Sequence, residues 1–289
     1  MTRGLDPHPS EVETACDARE TEETAMTASA PEDHLAFRAR RERDLAAPHG
    51  ILSQVALHWI DPADGARTIE GVPGTWRHDG EVLDVRWEGE ELELLADAPE
   101  ALVEHHGTAT RVTVGAAGDV RLARFGQDVQ IDVIRRGDRI GLRLLDPSAP
   151  RRTAFDGVPT HPYDPAAVLT GTWRHEPATL TVGSALPWLE QHLPSPGVAT
   201  LEVAGRSVEL VLTGRSSLLF TDETSGTDSA DWRVVEARID GDRVEVDLNR
   251  AVNFPAAFSA WATCPRPPAG NHLPVEVRAG ERRVEPTER

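Results

Sequence analysis

The sequence predicts a mainly β protein: two antiparallel β halves, sandwich- or barrel-like, with an N-terminal helix and a proline-rich C-terminal loop. Three observations carry this. Apolar and polar residues alternate with a period of two through most of the chain, which on a strand sends the apolar set to one face. Each alternating run is short and ends in a Gly/Asp turn such as WEGEE, RRGDR or DGD. A stretch too proline-rich for regular structure, VPTHPYDP at 158–165, divides the pattern in two.

Residues 1–25 carry seven acids against two arginines and almost no large apolar side chain. Such a segment buries too little surface to offset chain entropy, so residues 1–28 are expected to be a disordered acidic tail, with Met26 as an alternative start. A helix is expected within 29–50, over PEDHLAFRARRERDLAA (31–47), with acids near its start and arginines after them. Leu35, Phe37 and Leu45 form no single stripe, which predicts a surface helix, and Pro48 and Gly50 end it.

The first β half spans 51–150. Leu83, Val85 and Trp87 alternate with Asp84 and Arg86, and Ile140, Leu142 and Leu144 with Gly141 and Arg143, the mark of antiparallel sheet with one face wet. The second half spans 151–281. AGR and DGD read as hairpin turns, residues 184–197 as a connecting loop with one helical turn, and PVEVRA (274–279) as a last strand before a tail at 282–289. The pentamer GTWRH occurs at 74–78 and 171–175, 97 residues apart. Beyond it the halves share only alternation, so the copies are read as strand starts with Trp76 and Trp173 as core aromatics, not as a paired site.

The net charge of −18 argues against a sequence-independent grip on nucleic acid and against docking on anionic lipid. No run approaches the ~20 apolar residues of a membrane span, and the N-terminus lacks the order of a secretory signal. Cys16 and Cys264 make no disulfide framework. The expected location is a reducing cytoplasm.

The phosphate loop, GxGxxG, HExxH and GxSxG are absent. His105 and His106 are adjacent, which suits a polar loop better than joint metal ligation; no metal site is predicted and no cofactor is assigned. Polar residues concentrate in three places: 135–146, 219–226 with Trp232 and Arg233, and 246–281. Asp222, Thr224 and Ser225 either build an Asx/ST turn or line an oxygen-rich pocket. Asp247, Asn249 and Arg250 either fix an irregular loop or face a ligand. Ser225 is a weak nucleophile without a histidine near it in sequence.

Together these stretches resemble family 1684 of the bacterial domains of unknown function. The resemblance covers roughly residues 35–281. It rests on Asp247, Asn249, Arg250, Ala251, Asn253 and Pro255 in DLNRAVNFPAAF, on CPRPPAGNHL at 264–273, and on Ala279-Gly280-Glu281. Phe220, Asp222, Thr224, Ser225 and Gly226 match F-x-D-x-T-S-G, and Arg136 to Asp146 match R-G-D-R-x-G-x-R-x-x-D. The chain departs at Val252, Phe254 and Ala256, where the family has tyrosine, proline and cysteine, so Cys264 has lost any cysteine partner. The resemblance implies a two-part β protein and no known activity. Its motif positions are compatible with a polar cleft between the halves.

Three functions follow. In the leading one a small polar or anionic ligand is held by Arg143, Arg233 and Arg250, with Asp222, Asp247 and Asn249 orienting them and Thr224 and Ser225 beside it. A second is a hydrolase pairing Asp222 with Asp247. A third is a structural or interaction protein in which these groups clamp coil internally.

Overall fold

The computed structural model describes residues 31–80, 82–89, 92–95, 101–107, 109–114 and 119–284. The acidic tail, Met26, Cys16 and residues 285–289 lie outside the described residues. The first element, α1 (Glu32–Leu45), opens on Glu32 and Asp33, whose charges suit a helix N-terminus. It is largely exposed, as its lack of a stripe predicts. Leu45 packs with Leu52, Val158 and Phe258, while Arg38 and Arg41 reach Glu281, 240 or more residues away.

The N-terminal half contains β1 (Gln54–Ile60), β2 (Arg67–Ile69), β3 (Val72–His78), β4 (Leu83–Glu88), β5 (Glu93–Leu94), β6 (Ala101–His106), β7 (Ala109–Val114), β8 (Val120–Phe125), β9 (Val129–Arg136) and β10 (Arg139–Leu145). They form two five-stranded sheets, ordered β1-β10-β9-β8-β5 and β2-β3-β4-β7-β6. One core joins them: Trp76, Leu83, Val85 and Val112 from one sheet meet Leu122, Ile131, Ile140 and Leu142 from the other. This is a sandwich, and the alternation in β4 is the clean buried-exposed pattern expected of it. The other sheet departs from that pattern. Gln54, Gln130, Ile134 and Leu145 on its outer face are buried as well, so the expectation of one wet face fails there. Part of the C-terminal half covers that face: Gln54 bonds Ser259 and the Trp261 carbonyl, and Arg136 bonds Thr263. His105 and His106 end β6 and do not form a loop, because their backbones pair with Thr110 and Ala109.

After a short helix, α2 (Pro150–Thr153), come β11 (Val168–Gly183), β12 (Glu190–Val203), β13 (Arg206–Val211), β14 (Ser217–Asp222), β15 (Arg233–Asp240), β16 (Arg243–Asp247), β17 (Val252–Asn253) and β18 (His272–Leu273). They make a mixed sheet ordered β13-β12-β11-β16-β15-β14-β18, with β17 against β15. The sheet curls until its ends almost meet. Thr213 and Ser217 pair across the gap, and the Asn271 side chain bridges what remains. Its Nδ2 donates to the carbonyls of Val211 and Leu219, both at 2.8 Å, and its Oδ1 accepts from the Val211 N–H at 2.9 Å. One amide thus substitutes for the missing rungs of a nearly closed barrel.

Residues 184–197 are a correction to the expected loop: most of them belong to β12, which pairs with β11 from Glu190 through Gly197. Pro194 and Pro196 are tolerated because β12 meets β13 only from Val198 onward, leaving an edge where proline is allowed. At the tip of this long hairpin Trp188 meets Trp59 edge to face at 5.1 Å and Arg139 at 4.2 Å, joining the two halves. The expected last strand at 274–279 is also replaced. Only His272–Leu273 pairs as a strand, parallel to β14.

The two GTWRH copies are not equivalent. Gly74 has a φ of 92° and Trp76 is fully buried in the sandwich core. Gly171 lies in an extended strand where a Cβ would sit 1.9 Å from the Thr200 carbonyl oxygen, so glycine is required there for close backbone approach. Trp173 is only half-buried, packed against the barrel core. Each tryptophan lies within its strand and not at the start of it.

Candidate functional site

The eight residues singled out from sequence fall into three separate groups. The first is built at the end of β14. Asp222 Oδ1 accepts from the Thr224 N–H at 2.8 Å, from the Thr224 hydroxyl and from the Val277 N–H at 3.2 Å. Its Oδ2 accepts from Arg233 Nη2 at 2.9 Å, and both side chains are 1% exposed. Arg233 also donates to the carbonyls of Val277, Ala279 and Glu281. The Ser225 hydroxyl accepts from the Asp222 N–H. The Asx/ST turn is therefore present, and around it a buried guanidinium binds the C-terminal segment.

The second group follows β16. Asp247 Oδ1 accepts from the backbone and side-chain nitrogens of Asn249. The Asn249 amide exchanges two hydrogen bonds with the backbone of Asp164, at 2.8 and 2.9 Å, and so pins the proline-rich stretch to the barrel. Arg250 pairs with Asp33 of α1 and Asp247, and lies 5.2 Å from the Phe37 ring centroid. Beside it Glu281, fully buried, accepts from Arg38, Arg41 and the Asn253 N–H. Gly280 is required before it, since a Cβ there would lie 2.5 Å from the Ala251 carbonyl.

The third group is Arg143 alone, on β10 opposite Asp132, at the seam where the C-terminal half covers the sheet. Its Nε is buried without a hydrogen-bond partner, and burial holds its guanidinium below the usual arginine range. The paired-carboxylate arrangement does not form: Asp222 ends β14, Asp247 ends β16, and β15 runs between. None of the eight residues lines either of the two cavities described next.

The larger cavity is about 330 Å³ and is lined wholly by residues between 185 and 284. It therefore lies within the C-terminal half, where a cleft between the halves was expected. Its floor is Trp232, Phe254, Phe258 and alanines 256, 257, 260 and 262; Asp231, Arg266 and Arg283 are its charged residues. Trp232 directly precedes β15 and is 6% exposed, with its ring 6.2 Å from that of Phe254. The Arg266 guanidinium lies 4.9 Å from the Trp232 ring centroid, a cation–π distance, and its Nε donates to the Ser184 carbonyl. The indole Nε1–H of Trp232 is buried and has no partner. A buried orphan donor costs about 1–3 kcal/mol. A second cavity, about 250 Å³, shares Asp231, Trp232 and Arg266 with the first. Thr221 and His272 line it, 3.0 Å apart, with Glu223 3.2 Å from the other ring nitrogen of His272.

Sequence reasoning missed this cleft. The tryptophan, two arginines and run of alanines that build it carry no motif. The one available signal was the alanine- and aromatic-rich text FPAAFSAWA itself.

Cys264 packs behind Trp232 with Ala262, and burial pushes its thiol up to about 11. At pH 8 the thiolate is then on the order of 0.1%. In a Cys16→Ser background, native Cys264 is expected to react with a disulfide reagent at least about a hundredfold slower than in denaturant. Comparable rates in the two states would contradict this burial.

No curated protein matches the chain. Among solved structures, the solution NMR structure of an uncharacterized protein from gene locus rrnAC0354 of Haloarcula marismortui is similar at 25% identity and a TM-score of 0.38, over 46% of this chain and 79% of that one. Residues 153–282 match the family described as "Protein of unknown function (DUF1684)". That range is narrower than the 35–281 of the resemblance and leaves the Arg136–Asp146 motif outside. The matched segment, residues 153–282, is similar to this family of unknown function and contains the clamps at Asp222, Asp247 and Glu281.

Proposed function

We propose that the protein binds a small organic ligand with a polar or anionic group in the cleft beside Trp232. The single observation that carries this reading is the Arg266 guanidinium set against the Trp232 ring in the wall of a 330 Å³ cavity, its terminal nitrogens without partners among the described residues. Cavities of this size, mostly apolar with a few convergent polar groups, suit metabolite-sized ligands. The ligand site is thus assigned to Trp232, Arg266 and Arg283, while Asp222, Thr224, Ser225, Arg233, Asp247, Asn249 and Arg250 act as internal clamps.

Calorimetric titration of a panel of small organic anions and neutral analogues tests it. At a hundred times Kd a bound ligand adds about 2.7 kcal/mol of stability, so a thermal shift of several degrees should accompany binding. Trp232→Ala removes the ring from the wall and Arg266→Gln removes the charge; each is expected to weaken the binding of anions about tenfold. If no ligand in the panel discriminates between wild type and Arg266→Gln, this site is not used.

A further inference from the structure

Resting on the cleft as the binding site, we infer that its ligand is an apolar monocarboxylic acid, a short straight-chain or aromatic acid seated with its apolar end on the alanine and phenylalanine floor. The reasoning starts from what the wall lacks. The side chains of Phe254, Phe258, Ala257 and Ala260 are hydrocarbon and carry no hydrogen-bonding group. A sugar or nucleotide would have to strip water from its hydroxyls without compensation there, whereas a hydrocarbon gains from leaving water.

The polar groups of the cleft are of one kind, save two. Arg266 and Arg283 are donors; Ser259 is neutral and Asp231 is acidic. Arg283 uses one terminal nitrogen on the Gly226 carbonyl. Among the described residues the terminal nitrogens of Arg266 have no hydrogen-bond partner. A carboxylate accepts from two such donors at once, with a forked guanidinium as its best match. A di- or trianion would bring surplus charge towards Asp231 and into a chain of net charge −18. The volume of about 330 Å³ lies at the small end of ligand cavities, which suits one ring or a medium chain and not a nucleotide-linked acid.

The test is calorimetric titration of the full chain with straight-chain carboxylates from propanoate to decanoate and with benzoate. The matching 1-alkanols, inorganic phosphate and citrate serve as controls. Each added methylene is expected to lower Kd about fourfold until the cavity is full, after which Kd levels off. Alkanols should bind at least about tenfold more weakly than the acids, and phosphate and citrate should not compete. Ala260→Leu, which fills part of the floor, should move the levelling-off to a shorter acid without altering the circular-dichroism melt by more than a few degrees. Arg266→Gln should narrow the gap between acid and alkanol.

Several results overturn the inference. If Kd is independent of chain length, the floor is not a tail site; if alkanols equal acids, no carboxylate is recognised. If phosphate or citrate binds tightly and Arg266→Gln weakens it, the cleft is a ligand site for polar anions, and only the choice of acid fails. If none of these compounds binds, both readings fall together.

Discussion

Arg233→Ala is expected to lower the unfolding free energy by about 3–5 kcal/mol, the usual penalty for breaking one side of a buried ion pair. The loss has two parts. Asp222 would keep a buried charge with Thr224 and Val277 as its remaining partners. The carbonyls of Val277, Ala279 and Glu281 would lose the guanidinium that gathers them. Glu281 in turn holds Arg38 and Arg41 of α1, so the helix should loosen as well. At roughly 2–4 °C per kcal/mol for a chain of this size, the thermal midpoint should fall on the order of 10 °C. Hydrogen exchange should quicken first in 277–281 and α1. A Asp222→Leu/Arg233→Met double variant, which leaves no unpaired charge, should cost less than Arg233→Ala alone. An Arg233→Ala midpoint within 2 °C of wild type would contradict the clamp.

Asn271→Ala should be the next most damaging change, by about 3 kcal/mol. It leaves the Val211 N–H and C=O and the Leu219 C=O without the amide that joins them, and each unsatisfied buried group costs about 1–3 kcal/mol. Asn271→Asp is expected to be no better, because an oxygen would then face two carbonyl oxygens. Both variants should speed exchange of the β13 and β14 amides more than those of the sandwich. Uniform acceleration over both halves would mean that Asn271 is a general core residue and not the closure of the barrel.

These two side chains show how far the sequence could be read. Asp222 and Arg233 were visible as polar residues whose roles were open between ligand contact and internal clamp, and Asn271 only as a position in CPRPPAGNHL. What decides is the partner, and the partners are distant: Arg233 reaches 44–48 residues along the chain and Asn271 reaches back 52 and 60. Trp232 and Arg233 make the point most sharply. They are neighbours, Trp232 in the bend before β15 and Arg233 its first residue. Arg233 is buried against Val277, Ala279 and Glu281 while Trp232 lines the cleft, and nothing in the local sequence chooses between them.

The alternating text by itself determined the β class and the hairpin turns at Ala204-Gly205 and Gly241, because a strand's pleat and a turn's φ are satisfied within a few residues. Tertiary structure alone decided that the second sheet nearly closes, that 184–197 extends a strand, that the sandwich's second face is covered, and where the cleft lies. Those outcomes depend on which buried polar group finds which partner across the chain, and a buried donor or acceptor must be paired wherever its partner sits in sequence.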